Sequence, residues 1–338
     1  MMQYFPHFAR AGIETEVRPF FDDAYLSALY ADRRKPLATA SYYIQRMRDL
    51  LRAKRADAVW LEQELFPWLP SQVERLFMPR QIPVFSDYDD AIFHRYDLHD
   101  RAVVRNVLGS KIDRVMAASR LVMAGNSYLA SRARASGASR IEIVPTVVDV
   151  SAYEVAALPE PDGKPRIGWI GTPSTWSKYM APLMPMLLAV AEQQDAVLRA
   201  VGAGPAAGAS PRLEILPWSE ESESRLIQGM DVGLMPLDDS PWSRGKCGYK
   251  IIQYLACGVP VVASPVGVNS EIIEHGVNGF LASTEAEWRE ALDVLMNDRH
   301  LRRRMGIAGR RTVEERYSLD VWAPRVVALM KEAADAPC

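Results

Sequence analysis

Short apolar runs alternate with helical stretches along almost the whole of this 338-residue chain, and that alternation limits the folds open to it. The runs read as strands at Ile13–Arg18, Ala58–Leu61, Ile82–Ser86, Leu121–Ala124 and Ile141–Val144. A second set follows at Ile167–Ile170, Val197–Val201, Leu213–Leu216, Val232–Met235 and Val259–Ala263. Most lack alternating polar positions, as expected of strands covered on both faces. Helical stretches such as Tyr42–Arg55, Pro182–Gln193 and Glu285–Met296 separate them. Strand, helix and strand in one sheet make a right-handed crossover between parallel neighbours. The break at Asp149–Lys164, with Pro159, Pro161 and Gly163, has linker composition. The reading is therefore α/β: two doubly wound, Rossmann-like parallel-sheet domains, 1–155 and 156–317, followed by a helix within 318–338. The chain is long enough for two such cores.

One feature departs from that pattern. The chain opens with a helix, Met2–Ala11, stopped by Gly12, ahead of its first strand. A doubly wound domain begins with a strand. The expectation is that a leading strand and its turn are missing, which leaves a central slot of the first sheet empty at a cost in unpaired backbone groups. The alternative is a domain that lacks that strand.

A net charge of −2 gives no reason to expect nucleic acid as a partner. No run of about 18 apolar residues is present to span a bilayer, and the N-terminus lacks an apolar leader core, so the reading is cytoplasmic. Three cysteines, Cys247, Cys257 and Cys338, show neither a disulfide framework nor zinc spacing. The basic run Arg299–Arg304, with Arg310 and Arg311, reads as a solvated helix face; contact with an anionic membrane surface is the alternative.

Ligands of open α/β sheets bind beyond the carboxyl ends of the strands. Two such ends stand out in the second half. Gly171-Thr172 follows Ile167–Ile170, where a glycine admits close backbone approach and Thr172 offers either a ligand contact or a helix cap. The turn Ser264-Pro265-Val266-Gly267-Val268-Asn269 follows Val259–Ala263 and opens a helix near Ser270. Its N–H groups favour a phosphate, and Glu271 is either functional or a cap. The preceding helix places Lys246, Lys250 and Gln253 on one polar face at i, i+4 and i+7 spacing, opposite Ile251, Ile252 and Leu255. Neither the dinucleotide nor the P-loop glycine pattern is present.

In the first half, Asp87, Asp89 and Asp90 follow the strand Ile82–Ser86. Glu62 and Glu64 hold the equivalent place one strand over, and Asn126 follows Leu121–Ala124. These acids read as sugar-hydroxyl contacts, a metal site or helix caps. His94 and His99 lie nearest to them, but no Ser-His-Asp or Cys-His set assembles.

The run from Lys250-Ile-Ile-Gln-Tyr-Leu-Ala-Cys-Gly-Val-Pro-Val-Val-Ala-Ser through Glu271-Ile-Ile-Glu-His-Gly-Val-Asn-Gly-Phe-Leu resembles the nucleotide-sugar glycosyltransferases of the GT-B fold, most nearly glycosyltransferase family 4. The stretches at Asp231, Trp169 and Asp89-Asp90 share that resemblance. It implies two domains facing across a cleft, an N-terminal acceptor domain, a C-terminal donor domain, and a last helix crossing back onto the first domain. It implies a retaining, metal-independent hexosyltransferase-type enzyme that needs no cofactor beyond the nucleotide-diphosphate sugar it consumes. The acceptor would be a glycan, a lipid-linked or a small hydroxyl compound. The setting would be surface polysaccharide or lipopolysaccharide synthesis, with peripheral contact at the inner membrane face.

Donor contacts then fall to Gly171, Thr172, Lys246, Lys250, Gln253, Gly267, Val268, Asn269 and Glu271. Acceptor contacts fall to Glu62, Glu64, Asp90 and Asn126, and the chemistry to Asp89, Asp87 and Lys250. The pattern departs in places. The family's two glutamates on this helix fall at Gly245 and Gln253, and its arginine after the first strand's glycine falls at Thr172. A non-catalytic GT-B protein that binds a nucleotide sugar or a partner subunit, and a sugar-nucleotide epimerase, are the competing readings.

Overall fold

The structure, a computed structural model, describes residues 2–23, 25, 36–53, 55–78, 81–155 and 163–335. It divides into two compact units. One is Met1–Val144 together with Ala323–Cys338, and the other is Pro145–Trp322. The linker prolines Pro159 and Pro161 lie outside the described residues.

The first unit holds four parallel strands: β1 (Val59–Glu62), β2 (Val84–Tyr88), β3 (Leu121–Ala124) and β4 (Ile141–Ile143), paired in the order β1-β2-β3-β4. Among the described residues the order follows the chain, so these four strands wind in one direction. No slot is open between β1 and β4 among the described residues. Ile13–Arg18 forms no strand. Its residues are nearly all exposed, and the charges of Glu14, Glu16 and Arg18 leave one apolar face too meagre to bury.

The N-terminal helix Phe5–Arg10 instead covers β1, with Tyr4 and Phe8 buried against Trp60 at ring distances of 6.2 and 5.9 Å. The last helix, Leu319–Asp335, brings Ala333 into the cluster of Phe85, Leu121 and Met123. Lys331 there donates to the Ala11 carbonyl at 2.8 Å.

The second unit is doubly wound. Its strands are β5 (Arg166–Ile170), β6 (Val197–Val201), β7 (Leu213–Leu216), β8 (Val232–Met235), β9 (Val261–Ala263) and β10 (Gly279–Leu281), in the order β10-β9-β8-β5-β6-β7. The chain runs outward from β5 to β7, returns to β8 on the other side, and runs outward again. Trp169, Trp176, Leu187, Leu292 and Leu295 fill one side of this sheet, and Ile251, Ile252, Tyr254 and Leu255 the other.

The helix Arg299–Arg316 packs on the helix Tyr249–Ala256, and two glycines permit the approach: a Cβ on Gly306 would lie 2.0 Å from the Gly258 carbonyl, and one on Gly309 2.5 Å from Leu255. The basic run is only partly a solvated face. Arg302 pairs with the buried Asp231 at 3.1 Å. Arg310 donates to the Ala256 carbonyl at 2.5 Å, at the negative end of the neighbouring helix. No described helix is long and apolar enough to cross a membrane.

Candidate functional site

The switch point of the six-stranded sheet lies between β5 and β8, where a doubly wound sheet opens a crevice. β5 and β8 pair only at Ile167–Val232 and Gly168–Gly233. Beyond that the strands part, and the Tyr254 hydroxyl fills the split. It accepts from the Ile170 N–H at 3.0 Å and donates to the Leu234 carbonyl at 3.4 Å. Gly233 makes room for the ring, since a Cβ there would lie 2.5 Å from it.

Lys250 stands one turn before Tyr254 on the same helix, so its side chain reaches the same opening. Its ammonium lies 4.7 Å from the centre of the buried Trp169 ring. A Cβ on Gly171 would sit 2.6 Å from that nitrogen, so the glycine leaves the space the ammonium needs. Among the described residues no carboxylate pairs with Lys250. Burial, and secondarily the charge of Lys246, push its pKa down to about 7. A cation in this condition gains from any anion that reaches it.

Gln253 is buried three residues further on. Its amide donates to Tyr153 Oη at 3.2 Å and to the carboxylate of Glu223. Glu223 also receives the Tyr153 hydroxyl at 2.9 Å and the Trp218 indole N–H at 2.7 Å. The sequence reading missed this group. Glu223 sits in Glu-Glu-Ser-Glu and reads as part of a solvated helix face. The usable signal was Pro217-Trp218-Ser219, an aromatic turn directly after β7.

The remaining donor candidates divide. Thr172 caps the short helix Pro173–Thr175, its hydroxyl accepting from the Thr175 N–H at 3.4 Å, while remaining exposed. Lys246 is half-buried near Lys250. The helix after β9, Asn269–Ile272, is a single turn, and the N–H groups of Asn269, Ser270 and Glu271 already bond to the carbonyls of Val266, Gly267 and Val268. Little dipole remains for an anion there. Asn269 is fully buried and ties its amide to the Ser264 carbonyl at 3.0 Å, so it shapes the turn. Gly267 has φ 54°, and a Cβ there would lie 2.6 Å from the Arg244 carbonyl. Val268 is buried, and Glu271 is exposed.

In the first unit, Glu62 and Asp87 are register partners at the carboxyl ends of β1 and β2. Trp60 donates to Asp87 at 3.3 Å, and Gln63 to Asp89 at 3.2 Å. Burial, and then the neighbouring Asp89, push the Asp87 pKa up to about 7. Asp90 is half-buried, and its carbonyl accepts from the Ile92 N–H at 2.8 Å.

Two acceptor candidates are accounted for by the fold. Glu64 is buried and held by Lys111 at 2.5 Å and by Tyr96 at 2.9 Å. Asn126 is the N-cap of the helix Ser127–Ala135, accepting from the Leu129 N–H at 2.9 Å. His94 joins Asp97 to Tyr128, at 2.8 Å on each ring nitrogen.

Two parallel α/β sheets, one of them with an open switch point, are the architecture of GT-B proteins. The likeness to solved structures agrees. Sucrose-phosphate synthase from Thermosynechococcus elongatus superposes with a TM-score of 0.68 at 16% identity, over 89% of this chain and 79% of that one. Anabaena HepE in complex with UDP-glucose gives 0.68 at 18% identity, over 93% and 90%. S. aureus TarM, as a mutant in complex with Fondaparinux, alpha-GlcNAc-glycerol and UDP, gives 0.63 at 12% identity, over 87% and 59%. At these identities the likeness establishes the fold. No curated protein matches the chain in sequence.

Residues 164–298, all within the second unit, match the family model described as Glycosyl transferases group 1. Over that segment the chain is similar to this family, and its fold is that of the GT-B structures above.

Proposed function

We propose that this protein transfers a glycosyl group from a nucleoside-diphosphate sugar to an acceptor hydroxyl, the second unit binding the donor and the first the acceptor. The observation that carries the reading is Lys250: a lone ammonium at the switch point, with its pKa brought to about 7 and a glycine backbone beside it. The HepE structure in complex with UDP-glucose supports the donor class.

The reaction breaks the bond between the anomeric carbon and the diphosphate while negative charge builds on the leaving oxygens. Lys250 stabilises that charge from a preorganised position, with Gly171 leaving room for the diphosphate to approach. The dianion raises the Lys250 pKa, so binding above pH 7 draws a proton onto Lys250. Asp87, near half-ionised at neutral pH, is suited to take the acceptor's proton, with Asp89 and Glu62 as its neighbours. Glu223 and Gln253 mark the ribose end of the donor site. Retention at the anomeric carbon, independence of metal and a part in surface polysaccharide or lipopolysaccharide synthesis follow from the family resemblance.

Calorimetry with UDP, GDP and ADP tests the donor half, with one expected to bind at micromolar strength. Silence with all three overturns it. A second reading is binding without transfer. Gly245 favours that, because it leaves the sugar end without the family's carboxylate. Slow hydrolysis of a bound nucleotide sugar by the wild-type chain, lost in Asp87→Asn or Lys250→Met, decides for the enzyme; tight binding with no hydrolysis or transfer decides for the binder.

A further inference from the structure

Three non-glycine residues of the described chain have left-handed backbone, and two of them, Gln63 (φ 65°) and Trp68 (φ 64°), bound one loop after β1. That conformation is unfavourable for a side chain and persists only where the surroundings over-determine it. Here they do. The Phe66 carbonyl accepts from Lys111. The N–H groups of Leu65 and Phe66 donate to Glu74 at 3.2 and 3.0 Å. The Pro67 carbonyl accepts from Tyr43 at 2.5 Å, and the Trp68 N–H donates to the Tyr96 hydroxyl at 3.1 Å.

The same loop buries Leu65 and Phe66 in the core, yet leaves one side chain that the core does not use. The Trp68 ring is 48% exposed, braced edge-on by Tyr96 at 5.3 Å and His99 at 5.8 Å. A loop selected for stability alone would bury such a ring. At the loop's other end Gln63 holds Asp89, beside Glu62 and Asp87. One short segment thus joins a rigid aromatic surface to a group of hydroxyl acceptors.

We propose that Trp68 is a platform for a pyranose ring of the acceptor, resting on the glycosyltransferase reading above. A pyranose has one apolar C–H face, which suits an indole, and hydroxyls around its rim, which suit a polar neighbour such as His99 beside the ring.

The test titrates the full chain with methyl glucoside, methyl mannoside, maltose and lactose, following indole fluorescence, in the wild type and in Trp68→Ala and Trp68→Gly. The expected result is a saturable change with at least one of these sugars at millimolar strength. Both variants lose at least fivefold in that affinity while affinities for UDP, GDP and ADP stay unchanged. Trp68→Gly melts above Trp68→Ala, because glycine relieves the left-handed strain, and this separates folding from binding. Equal sugar affinity in the variants, no response to any sugar, or a Trp68-dependent response only to phosphatidylglycerol vesicles would overturn the proposal. Absence of nucleotide binding in the wild type counts against the glycosyltransferase reading instead, since the sugar titration is read separately.

Discussion

Two lysines of this chain leave bulk water for opposite reasons. Lys111, 1% exposed in the first unit, has Glu64 at 2.5 Å, Glu74 at 3.0 Å and the Phe66 carbonyl around its ammonium. Lys250, half-buried in the second unit, has an aromatic ring, a glycine and another lysine. The first charge is balanced by its own chain and pins a loop. Among the described residues the second has no such partner, which weakens the fold and, in the function proposed above, leaves a place to receive an anion. A buried cation whose partners are already present points to architecture, and one without them points to a ligand.

The largest effect expected is from Lys111→Met. Removing one side of a buried ion pair costs about 3–5 kcal/mol, because the partner charges stay behind. Glu64 and Glu74 would then share an apolar site, and urea unfolding should show the loss. If Lys111→Met is as stable as the wild type, the pairing is not structural and the contrast fails.

Next, Lys250→Met should weaken nucleoside-diphosphate binding by about 1.5–3 kcal/mol, the range for a hydrogen bond to a charged group. The same variant should be at least as stable as the wild type at pH 6, where the unpaired charge is a burden. Gly171→Ala should act in the same direction on binding, more weakly, since its Cβ would displace the ammonium and press on the Trp169 ring. Its circular dichroism should match that of the wild type.

The smallest effects are in the pH dependence. The folded pKa of Lys250, about 7, lies below the ordinary lysine value, so between the two the unfolded chain binds more protons. Wild-type stability should therefore rise relative to Lys250→Met as pH increases from about 7 to about 10. Asp87 runs the other way. Its folded pKa, about 7, lies above the ordinary aspartate value, so its favourable contribution is complete at acid pH and fades as pH rises toward 7. Relative to Asp87→Asn, the wild type should lose stability over that interval.

Much of the second unit could be read from its sequence, because its strands are short, largely apolar runs, with Arg199 and Glu214 as single interruptions. Val197–Val201, Leu213–Leu216 and Val232–Met235 have the predicted limits. The strand Gly279–Leu281 was passed over, being only three residues long within a conspicuous motif. In the first unit the alternating residues 13–18 mimicked a strand, but they pair with no strand of the sheet.

The site was legible in part. Helical periodicity put Lys250 and Gln253 on one helix, Tyr249–Ala256, but Lys246 precedes its left-handed N-cap Gly248, so the expected i, i+4, i+7 face does not include it. The hydroxyl of Tyr254 between Ile170 and Leu234, the Glu223 partner of Gln253 and the Lys111 partner of Glu64 are contacts distant in sequence, and no local pattern announces them. The turn after β9 invited an anion site from its composition, but its helix proved a single turn with its first N–H groups already bonded.

The central claim is that Lys250 is the cation that receives the donor's diphosphate. Calorimetry at pH 8 in two buffers of different ionisation enthalpy, with the nucleoside diphosphate that binds tightest, tests it directly. The account predicts uptake of close to one proton on binding to the wild type and almost none for Lys250→Met. Binding of equal strength to both proteins, with no proton taken up by either, would contradict it.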